Sequence, residues 1–378
     1  MRILLACDKF KGSLTAEQVH AHLAAGLRRA RPDAEVRTLP VADGGDGILD
    51  VALRSGFTRV PITVAGPTGE PVQTAYAVRS SPSPGGSVRD VVIELADACG
   101  LSRLPGGVPA PLTASTRGLG EVMAAALVAE RPRTMTVGIG GSASTDGGAG
   151  MLAALGIVPR DADGEPVRPG GVGLLDVTRI DVSRMAPRLA FTLLRFASDV
   201  ASPLTGPDGA ARVFGPQKGA TPEDVDLLER ALTHWADVVS AAGRSDLRDR
   251  AGTGAAGGVG YAALAVLHAD LRAGIDLVLD LVDVESALDG VDLVITGEGS
   301  VDEQTLLGKA PAGVAARARA HGIPVVAVCG RTTLAPTASA RAGFETIHAL
   351  TDLEPDPRTC VAHAGPLLER LAAERLLG

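Results

Sequence analysis

Aromatic side chains are scarce in this sequence, since Phe, Trp and Tyr make up only 2 % of its 378 residues. Proteins that bind nucleic acid by stacking its bases depend on exposed aromatic rings, so the scarcity argues against that function. The net charge of −8 also argues against nucleic acid and acidic membranes as partners. The hydrophobic cores must be built from Val, Leu, Ile and Ala, which is typical of parallel α/β sheets.

Cysteine and histidine chemistry is also sparse. The four cysteines have no metal-type spacing, and we interpret them as reduced thiols of a cytoplasmic protein. None of the seven histidines lies in the loops discussed below, so the sequence predicts neither a histidine base nor a zinc site. No serine lies in a nucleophile-elbow pattern. The uncharged run 251–269 is interrupted by glycines and is not expected to span a membrane.

Lysine is rare among the 36 basic residues, of which four are lysines: Lys9, Lys11, Lys218 and Lys309. Lysine provides a compact, mobile charge that the planar guanidinium of arginine does not reproduce. Because each lysine lies in a loop with glycine or serine, we expect these side chains to bind anionic groups. The alternative is that four lysines remain by chance.

The densest glycine loop spans 138–150, with six glycines in thirteen residues. It follows an apolar run that predicts a strand and precedes an apolar pattern that predicts a helix. Backbone N–H groups at such a helix start form an anion site, and glycine lets a ligand approach the backbone. The predicted ligand-binding residues are Gly140, Gly141, Ser142, Ser144, Thr145, Asp146, Gly147 and Gly148. The alternative is a tight turn without a ligand.

Two further glycine-rich loops have a related pattern. The loop at 42–47 carries Asp43, Gly44, Gly45 and Asp46 before a predicted helix. Its two acids suit Mg²⁺, which prefers oxygen ligands, but Asp is also favoured as a helix cap. The loop at 252–260 precedes a predicted helix over 261–271, and its Gly257 and Gly258 are predicted to bind substrate or nucleotide.

Both ends of the chain read as strand–loop–helix units. A strand over 3–7 leads into a loop with Asp8, Lys9, Lys11 and Ser13, and Thr15 with Gln18 predicts a capped helix. Near the other end, a strand over 293–296 leads into a loop with further polar candidates: Gly297, Glu298, Asp302, Thr305 and Lys309. Open α/β sheets bind ligands at the carboxyl ends of their strands, so both loops are candidate sites.

The two chain ends are therefore expected to build one Rossmann- or flavodoxin-like parallel-sheet domain from 1–62 and 285–378. The middle, 63–284, is expected to be an inserted α/β domain. Within it we predict a surface loop at 80–87, because this stretch is rich in Pro, Gly and Ser, and an apolar strand over 189–197.

The combination of glycine loops, loop lysines and strand-end acids indicates phosphoryl transfer, which depends on positioning and charge neutralisation. A carboxylate must accept the proton of the attacking hydroxyl. We predict Asp199 as this base because it ends an apolar strand, with Asp8 as the runner-up and Lys9 as a further catalytic residue. The predicted metal ligands are Asp43, Asp46 and Asp302. No Walker A motif is present, because Ala310 follows Gly308-Lys309.

Six stretches in this order closely resemble type I glycerate kinases: ACDKFKGSLTA, PVADGGDG, GIGGSASTDGGAGML, FGPQKGA, GAAGGVG and ITGEGSVDEQTLLGKAPAGVA. The resemblance implies two α/β domains with the active site in the cleft between them, and phosphorylation of D-glycerate by ATP with Mg²⁺. It implies 2-phosphoglycerate as the favoured product, with 3-phosphoglycerate as the alternative. The expected state is a monomer or homodimer. Ser144-Thr145 stands where the family usually has Thr-Asn, and Ser198 and Ser202 stand where Cys and Asn are common.

Two other functions fit parts of the pattern. Residues 138–143 match GxGxxA, so an NAD-dependent dehydrogenase of a small hydroxy acid is an alternative, with Asp161 or Asp163 near the distance of the ribose-binding acid. This alternative does not explain the lysines. A non-catalytic sugar-acid sensor could use the same residues, but the sequence has no basic helix-turn-helix segment to act as its output.

Overall fold

The computed structural model describes residues 1–42 and 47–377. These residues form thirteen strands: β1 Arg2–Cys7, β2 Glu35–Thr38, β3 Thr58–Ala65, β4 Pro71–Ser83, β5 Gly86–Glu94, β6 Thr134–Gly138, β7 Val158–Arg160, β8 Arg179–Asp181, β9 Leu193–Ala197, β10 Asp270–Arg272, β11 Leu293–Val301, β12 Val325–Thr332 and β13 Thr346–Ala349.

The same residues form fourteen α-helices: α1 Ala16–Ala30, α2 Ile48–Arg54, α3 Leu95–Cys99, α4 Arg117–Ala129, α5 Ala149–Ala154, α6 Ala210–Phe214, α7 Pro222–Ala241, α8 Ala255–Tyr261, α9 Gly274–Leu281, α10 Val284–Leu288, α11 Ala310–Ala320, α12 Pro336–Ala342, α13 Pro357–Ala362 and α14 Ala364–Arg375. Short 3₁₀ turns connect several of them, and Ala262–Val266 forms a π-helical turn after α8.

The chain divides into two compact units. Unit 1 comprises residues 1–43 and 275–378, and unit 2 comprises residues 44–274. The boundaries predicted from the sequence, after residues 62 and 284, differ from these by about twenty and ten residues. The first difference arises because α2 packs against β4 and β5, and β3 pairs along its whole length with β4, all in unit 2. The second arises because Ile275 packs directly against Gly313 of α11 in unit 1.

Unit 1 contains a five-stranded sheet in the order β13-β12-β11-β1-β2, with all neighbours parallel. This confirms the α/β fold with a parallel sheet built from both chain ends. Apolar residues of β1 and β11 pack against one side of α1 and α14 to form its core. Helix α1 begins as predicted, because Thr15 and Gln18 form a reciprocal capping box.

Unit 2 contains a six-stranded mixed sheet in the order β10-β9-β6-β5-β4-β3. Strands β5, β6, β9 and β10 are parallel, whereas β3 and β4 add an antiparallel edge. Trp235 of α7 is completely buried in the core of this unit. Helix α7 starts as its sequence indicates, with Thr221 and Asp224 in a capping box and Pro222 in the first turn.

Four local predictions are wrong. The strand predicted over 189–197 begins only at Leu193, because Pro187–Phe191 forms a 3₁₀ turn. The predicted surface loop at 80–87 is a hairpin, because β4 and β5 pair as far as Ser83 and Gly86. The predicted helix over 261–271 ends early, since His268 has a left-handed φ of 54° and β10 then pairs with β9. The strand predicted to end at 296 continues to Val301, because β11 stays paired with β12 through Val301 and Thr332.

No helix in the described ranges 1–42 and 47–377 is long and apolar enough to cross a membrane.

Candidate active site

The loop after β1 lies at the carboxyl edge of the sheet in unit 1. The backbone N–H of Asp8 donates to the carbonyl of Gly297 in β11 over 2.8 Å, and the N–H of Lys9 donates to Asp8 Oδ1 over 2.6 Å. Asp8 is only 8 % exposed, whereas Lys9 and Lys11 are exposed. Ser13 Oγ donates to the carbonyl of Phe10 and thereby closes a short turn. The structure therefore places the loop after β1 next to the end of β11.

Glu298 connects the residues that follow β11. Thr305 Oγ1 donates to Glu298 Oε1 over 2.6 Å, and Lys309 Nζ lies 3.8 Å from Glu298 Oε2. Asp302 Oδ1 accepts the N–H groups of Gln304 and Thr305, so this carboxylate also stabilises the turn before α11. The predicted group Glu298, Thr305 and Lys309 is therefore a single hydrogen-bonded and ionic cluster at the start of α11.

Gly297 has a packing reason for being glycine. A Cβ there would lie 2.0 Å from the carbonyl oxygen of Val328 in the neighbouring strand. Any other residue would separate β11 from β12 at this edge. Gly297 was predicted to bind a ligand, and the structure gives it a role in sheet pairing.

Four parallel strands of unit 2 end side by side. Glu94 of β5 pairs with Gly138 of β6, Gly138 with Ala197 of β9, and Ala197 with Arg272 of β10. Neighbouring strands are about 4.8 Å apart, so these four strand ends lie within roughly 15 Å. The glycine loop after β6 and Asp199 after β9 consequently start from adjacent strands at one edge.

Asp199 lies where the sequence predicts, two residues after the end of β9. Its side chain is exposed, and its Oδ1 accepts the N–H of Gly274 over 2.7 Å. The N–H of Ser198 donates to the carbonyl of Arg272, which holds this loop beside the end of β10. The carboxylate of Asp199 is therefore oriented by the backbone at the start of α9.

Asp146 is buried and serves the scaffold. Its Oδ2 accepts the N–H and the hydroxyl of Thr116, each over 2.8 Å, and the N–H of Gly150 over 3.2 Å. Its Oδ1 accepts the N–H of Gly148 over 3.2 Å. This carboxylate thus stabilises the first turns of α4 and α5, where negative charge is favoured. A residue 1 % exposed with these partners is not placed to contact a ligand directly.

The hydroxyl residues of the same loop are buried as well. Ser142, Ser144 and Thr145 are at most 5 % exposed, and the hydroxyls of Ser142 and Ser144 contact each other at 3.2 Å. Lys218 is also buried and its ammonium donates to the carbonyl of Ser144. Burial lowers the pKa of Lys218 to about 8, and the charge of Asp146 offsets part of this effect.

The glycine pairs at 147–148 and 257–258 lie in close backbone contact. The N–H of Gly147 donates to the carbonyl of Gly257 over 2.9 Å, and a Cβ on Gly258 would lie 2.6 Å from the Cα of Gly147. A Cβ on Gly257 would lie 2.1 Å from the carbonyl oxygen of Ser144, and one on Gly148 would lie 2.5 Å from Ala262 Cβ. Glycine is needed here for backbone-to-backbone contact.

Gly140 and Gly141 are the part of the loop that reaches the surface. Gly140 is half-buried and Gly141 is exposed, with a left-handed φ of 69°. Their backbone is therefore the segment of the predicted anion loop that a ligand can reach.

Sequence reasoning missed Glu94. This carboxylate is 6 % exposed, and it accepts the N–H of Gly47 over 2.8 Å and that of Leu49 over 3.2 Å. It thereby caps α2, whose own N-cap residue has no side chain. The available signal was an acid at the end of an otherwise apolar strand.

The predicted metal ligands are only partly visible. Asp43 and Asp46, with Gly44 and Gly45, lie outside the described residues. Among the residues that the structure does describe, no group of three His, Cys, Asp or Glu side chains is arranged to hold a metal ion.

Comparison with known proteins decides the family. The model of the glycerate kinase family matches residues 3–376. This chain belongs to the glycerate kinase family. A glycerate kinase of Bacillus subtilis is 42 % identical over 99 % of the chain and 96 % of the relative. The glycerate 2-kinase of Escherichia coli is 40 % identical over 88 % and 86 %, respectively. A crystal structure from Salmonella typhimurium LT2, of a protein provisionally named glycerate kinase 2, has a TM-score of 0.83 at 39 % identity. The match covers 99 % of the chain and 97 % of that structure.

The dehydrogenase alternative also fails on topology. In a dinucleotide-binding unit, the ribose-binding acid follows the second strand of the parallel sheet. Asp161 and Asp163 instead follow β7, which pairs antiparallel with β8 in a separate two-stranded sheet. The glycine loop of this family member is therefore not a dinucleotide-binding Rossmann motif.

Proposed function

We propose that this member of the glycerate kinase family transfers the γ-phosphoryl group of ATP to a hydroxyl of D-glycerate. The family match over residues 3–376 is the observation that carries the proposal. We favour 2-phosphoglycerate as the product over 3-phosphoglycerate, in line with the name of the E. coli relative, a glycerate 2-kinase.

Asp199 is the proposed base that takes the proton of the attacking hydroxyl. Its exposed carboxylate and the 2.7 Å hydrogen bond from Gly274 support this role, because a base must be both accessible and oriented. Asp8 is the second candidate. It also follows a strand, but it is largely buried and one of its oxygens accepts the N–H of Lys9.

The phosphate and carboxylate groups of the substrates are assigned to the loops of unit 1 and to one corner of unit 2. Charge neutralisation is the main requirement of phosphoryl transfer. We propose that Lys9, Lys11 and Lys309 supply it, with hydrogen bonds from Ser13 and Thr305. Glu298 keeps the ammonium of Lys309 within 3.8 Å and so orients it. Backbone N–H groups of Gly140 and Gly141 complete the proposed set.

We propose that the predicted site residues that are buried position the corner formed by Gly140 and Gly141. They hold the Gly140–Gly141 corner through the hydrogen bonds and close contacts described above, and do not contact substrate in this proposal. The set comprises Ser142, Ser144, Thr145, Asp146, Gly147, Gly148, Lys218, Gly257 and Gly258.

Mg²⁺ suits the carboxylate of Asp302, which lies beside Thr305 in the proposed phosphate site. It binds through oxygen, commonly one or two carboxylates together with substrate phosphates. Asp302 uses Oδ1 for two backbone N–H groups, which leaves the orientation of its carboxylate fixed for a cation. We therefore keep Asp302, with Asp43 and Asp46, as proposed ligands. Bound Mg²⁺ would neutralise negative charge on the phosphate oxygens.

The four cysteines are free and buried, which supports the proposal of a cytoplasmic enzyme. We propose a monomer or a homodimer.

A coupled assay of ADP release with ATP, Mg²⁺ and D-glycerate tests the activity. Phosphorus and proton NMR of the product then identify the phosphorylated hydroxyl. L-glycerate and NAD with D-glycerate are the negative controls. ADP release that does not depend on D-glycerate would contradict the proposal.

A further inference from the structure

A cavity of about 630 Å³ lies at the amino-terminal edge of the sheet in unit 2. It is an open cleft lined by the start of β5, the end of α4 and the 3₁₀ turn Pro187–Phe191. Cavities that bind small molecules typically enclose roughly 300–1,000 Å³, so its size suits a metabolite. Parallel strands β5, β6 and β9 run from this edge toward the opposite one, where the candidate active site lies.

Four arginines and one acid line the cavity: Arg89, Arg131, Arg133, Arg188 and Glu130. Glu130 is already occupied, because its Oε2 accepts from Arg89 over 2.8 Å and its Oε1 accepts from Tyr76 over 3.0 Å. In the part of the chain that the structure describes, the other three arginines form no ion pair. The cavity therefore has an excess of three positive charges.

Arg188 has an unused donor. Its Nη2 donates to the carbonyl of Arg131 over 3.4 Å, and its guanidinium carbon lies 6.0 Å from the ring centre of Phe191. Its Nε is buried and, within residues 1–42 and 47–377, has no hydrogen-bond partner. A buried N–H without an acceptor is unfavourable, and a rotation of the Arg188 guanidinium toward an oxyanion in the cavity would relieve it.

The backbone of Arg131 has an uncommon conformation. Its φ is 49°, in the left-handed region that few residues other than glycine adopt. The carbonyl that Arg188 bonds belongs to this same residue, so the turn presents Arg131 and anchors Arg188 together. Uncommon backbone of this kind is concentrated at binding sites.

Two large apolar side chains lie exposed beside the charges. Phe191 is 73 % exposed and Val128 is 76 % exposed, and both line the cavity. An aromatic face next to guanidinium groups suits a ligand that has an oxyanion at one end and an apolar or planar portion at the other.

We propose that this cavity binds a small organic oxyanion, either a phosphate monoester or a carboxylate, at a site separate from the candidate active site. The guanidinium groups of Arg131, Arg133 and Arg188 bind the oxyanion, and Phe191 contacts the organic portion.

Isothermal titration of the full chain with phenyl phosphate, benzoate and inorganic phosphate tests the proposal. We compare the wild type with Arg133→Gln alone and with the combination Arg131→Asn, Arg133→Gln and Arg188→Gln. Asparagine tolerates positive φ, so the change at Arg131 removes the charge without opposing the backbone. Arg184→Gln is the matched control, because Arg184 is exposed in the same unit and does not line the cavity.

We expect phenyl phosphate or benzoate to bind the wild type and Arg184→Gln equally. The triple variant should lose at least about tenfold in affinity, and Arg133→Gln a smaller part. The relative affinities of the three probes distinguish a phosphate ligand from a carboxylate ligand and measure the contribution of the organic portion.

Three results would overturn the proposal. One is undetectable binding to the wild type, and another is equal affinity in the triple variant and wild type. The third is a wild-type dimer that becomes a monomer in the triple variant, since the arginines would then form a subunit interface. Melting temperature and glycerate kinase turnover, which these variants should retain, verify that each remains folded.

Discussion

The strand-end loops of the two units use polar residues in opposite ways. In unit 1, Lys9 and Lys11 are exposed, and Glu298 and Lys309 are partly exposed. In unit 2, every residue from 142 to 149 is buried, and the residues bond mainly to one another and to nearby loops. The dense glycine loop of unit 2 therefore serves mainly for packing and supports one exposed corner. The charged loops of unit 1 have fewer glycines and expose their side chains.

The cause lies in how many backbone segments meet at each loop. In unit 2, the loop after β6 meets the start of α4 through Thr116 and the start of α8 through Gly257. Three backbones in mutual contact leave little room for side chains, so glycine and small hydroxyl residues occupy the junction. In unit 1, the loops follow neighbouring strands, and close backbone approach requires glycine at fewer positions, such as Gly297 and Gly330.

Asp199→Asn tests the exception, a charged and exposed residue at the edge of unit 2. Removing the proposed base should lower kcat by roughly two to four decades while ATP–Mg²⁺ binding is retained. Steady-state kinetics and calorimetric titration measure the two effects. The control is Asp270→Asn, because Asp270 lies at the start of β10, away from the strand ends beside Asp199. Unchanged turnover, or lost Mg²⁺ affinity instead, would remove Asp199 from this role and make Asp8→Asn the next variant.

Gly257→Ala tests whether the buried glycines are a packing device. The new Cβ would meet the carbonyl of Ser144 at a left-handed φ of 67°, so we expect a loss of about 3 kcal/mol in the free energy of unfolding. Urea denaturation measures it. Gly141→Ala is the matched variant, since its Cβ has only Ala96 Cβ at 3.2 Å, and it should lose about 1 kcal/mol.

Comparing Gly257→Ala with Gly141→Ala also separates an effect on folding from an effect on ligand binding. Gly141→Ala should weaken ATP or glycerate binding more than it weakens the fold. If Gly257→Ala were as stable as the wild type, the contrast between the two edges would be wrong.

Lys309→Arg tests the exposed charges of unit 1. Arginine keeps the charge, but its planar fork cannot reproduce a point charge 3.8 Å from Glu298 Oε2. We expect kcat to fall by roughly tenfold to a hundredfold, the worth of one charged hydrogen bond, with an unchanged melting temperature. Arg358→Lys, on an exposed helix, is the control for the reverse exchange. Near-normal turnover of Lys309→Arg would refute the argument from the scarcity of lysine.

Lys218→Met tests the buried lysine. Because burial lowers the folded-state pKa from 10.5 to about 8, the unfolded chain binds more protons between these values, and the stability of the wild type should rise with pH across this window. Below pH 8 both states are protonated and the effect is absent. Urea denaturation of the wild type, Lys218→Met and the exposed control Lys11→Met measures it. The rise should disappear only in Lys218→Met, and its persistence there would assign it to another group.

Much of the fold follows from periodicity and capping. The apolar strands β1 and β6 and the capped helix α1 were predictable because each depends on local signals, and β9 was predicted except for where it begins. The extension of β11 to Val301 was not, since glycine and serine there suggest a loop and only pairing with β12 makes a strand. The hairpin at Ser83 and Gly86 likewise depends on partner strands that override a turn-rich composition.

The candidate site was predictable in position more than in role. Strand-end logic located Asp8, Asp199 and Glu298 at the carboxyl edges where the structure has them. It could not distinguish the partly exposed Lys309 from the buried Lys218, because burial depends on packing by distant segments. It passed over Glu94 because the available signal, one acid at the end of an apolar strand, does not reveal that this carboxylate caps α2.

The pairing of β1 with β11 also determines the order in which the two sheets can form during synthesis. Strand β1 leaves the ribosome first, but its partner begins at Leu293, so roughly 290 residues separate them. At about 5–20 residues per second, the first strand waits roughly 15 to 60 s for its neighbour. All six strands of the other sheet, residues 58–272, emerge during that interval. The inserted unit can therefore complete its sheet first, while the apolar amino-terminal segment must be kept from aggregating until the last hundred residues arrive.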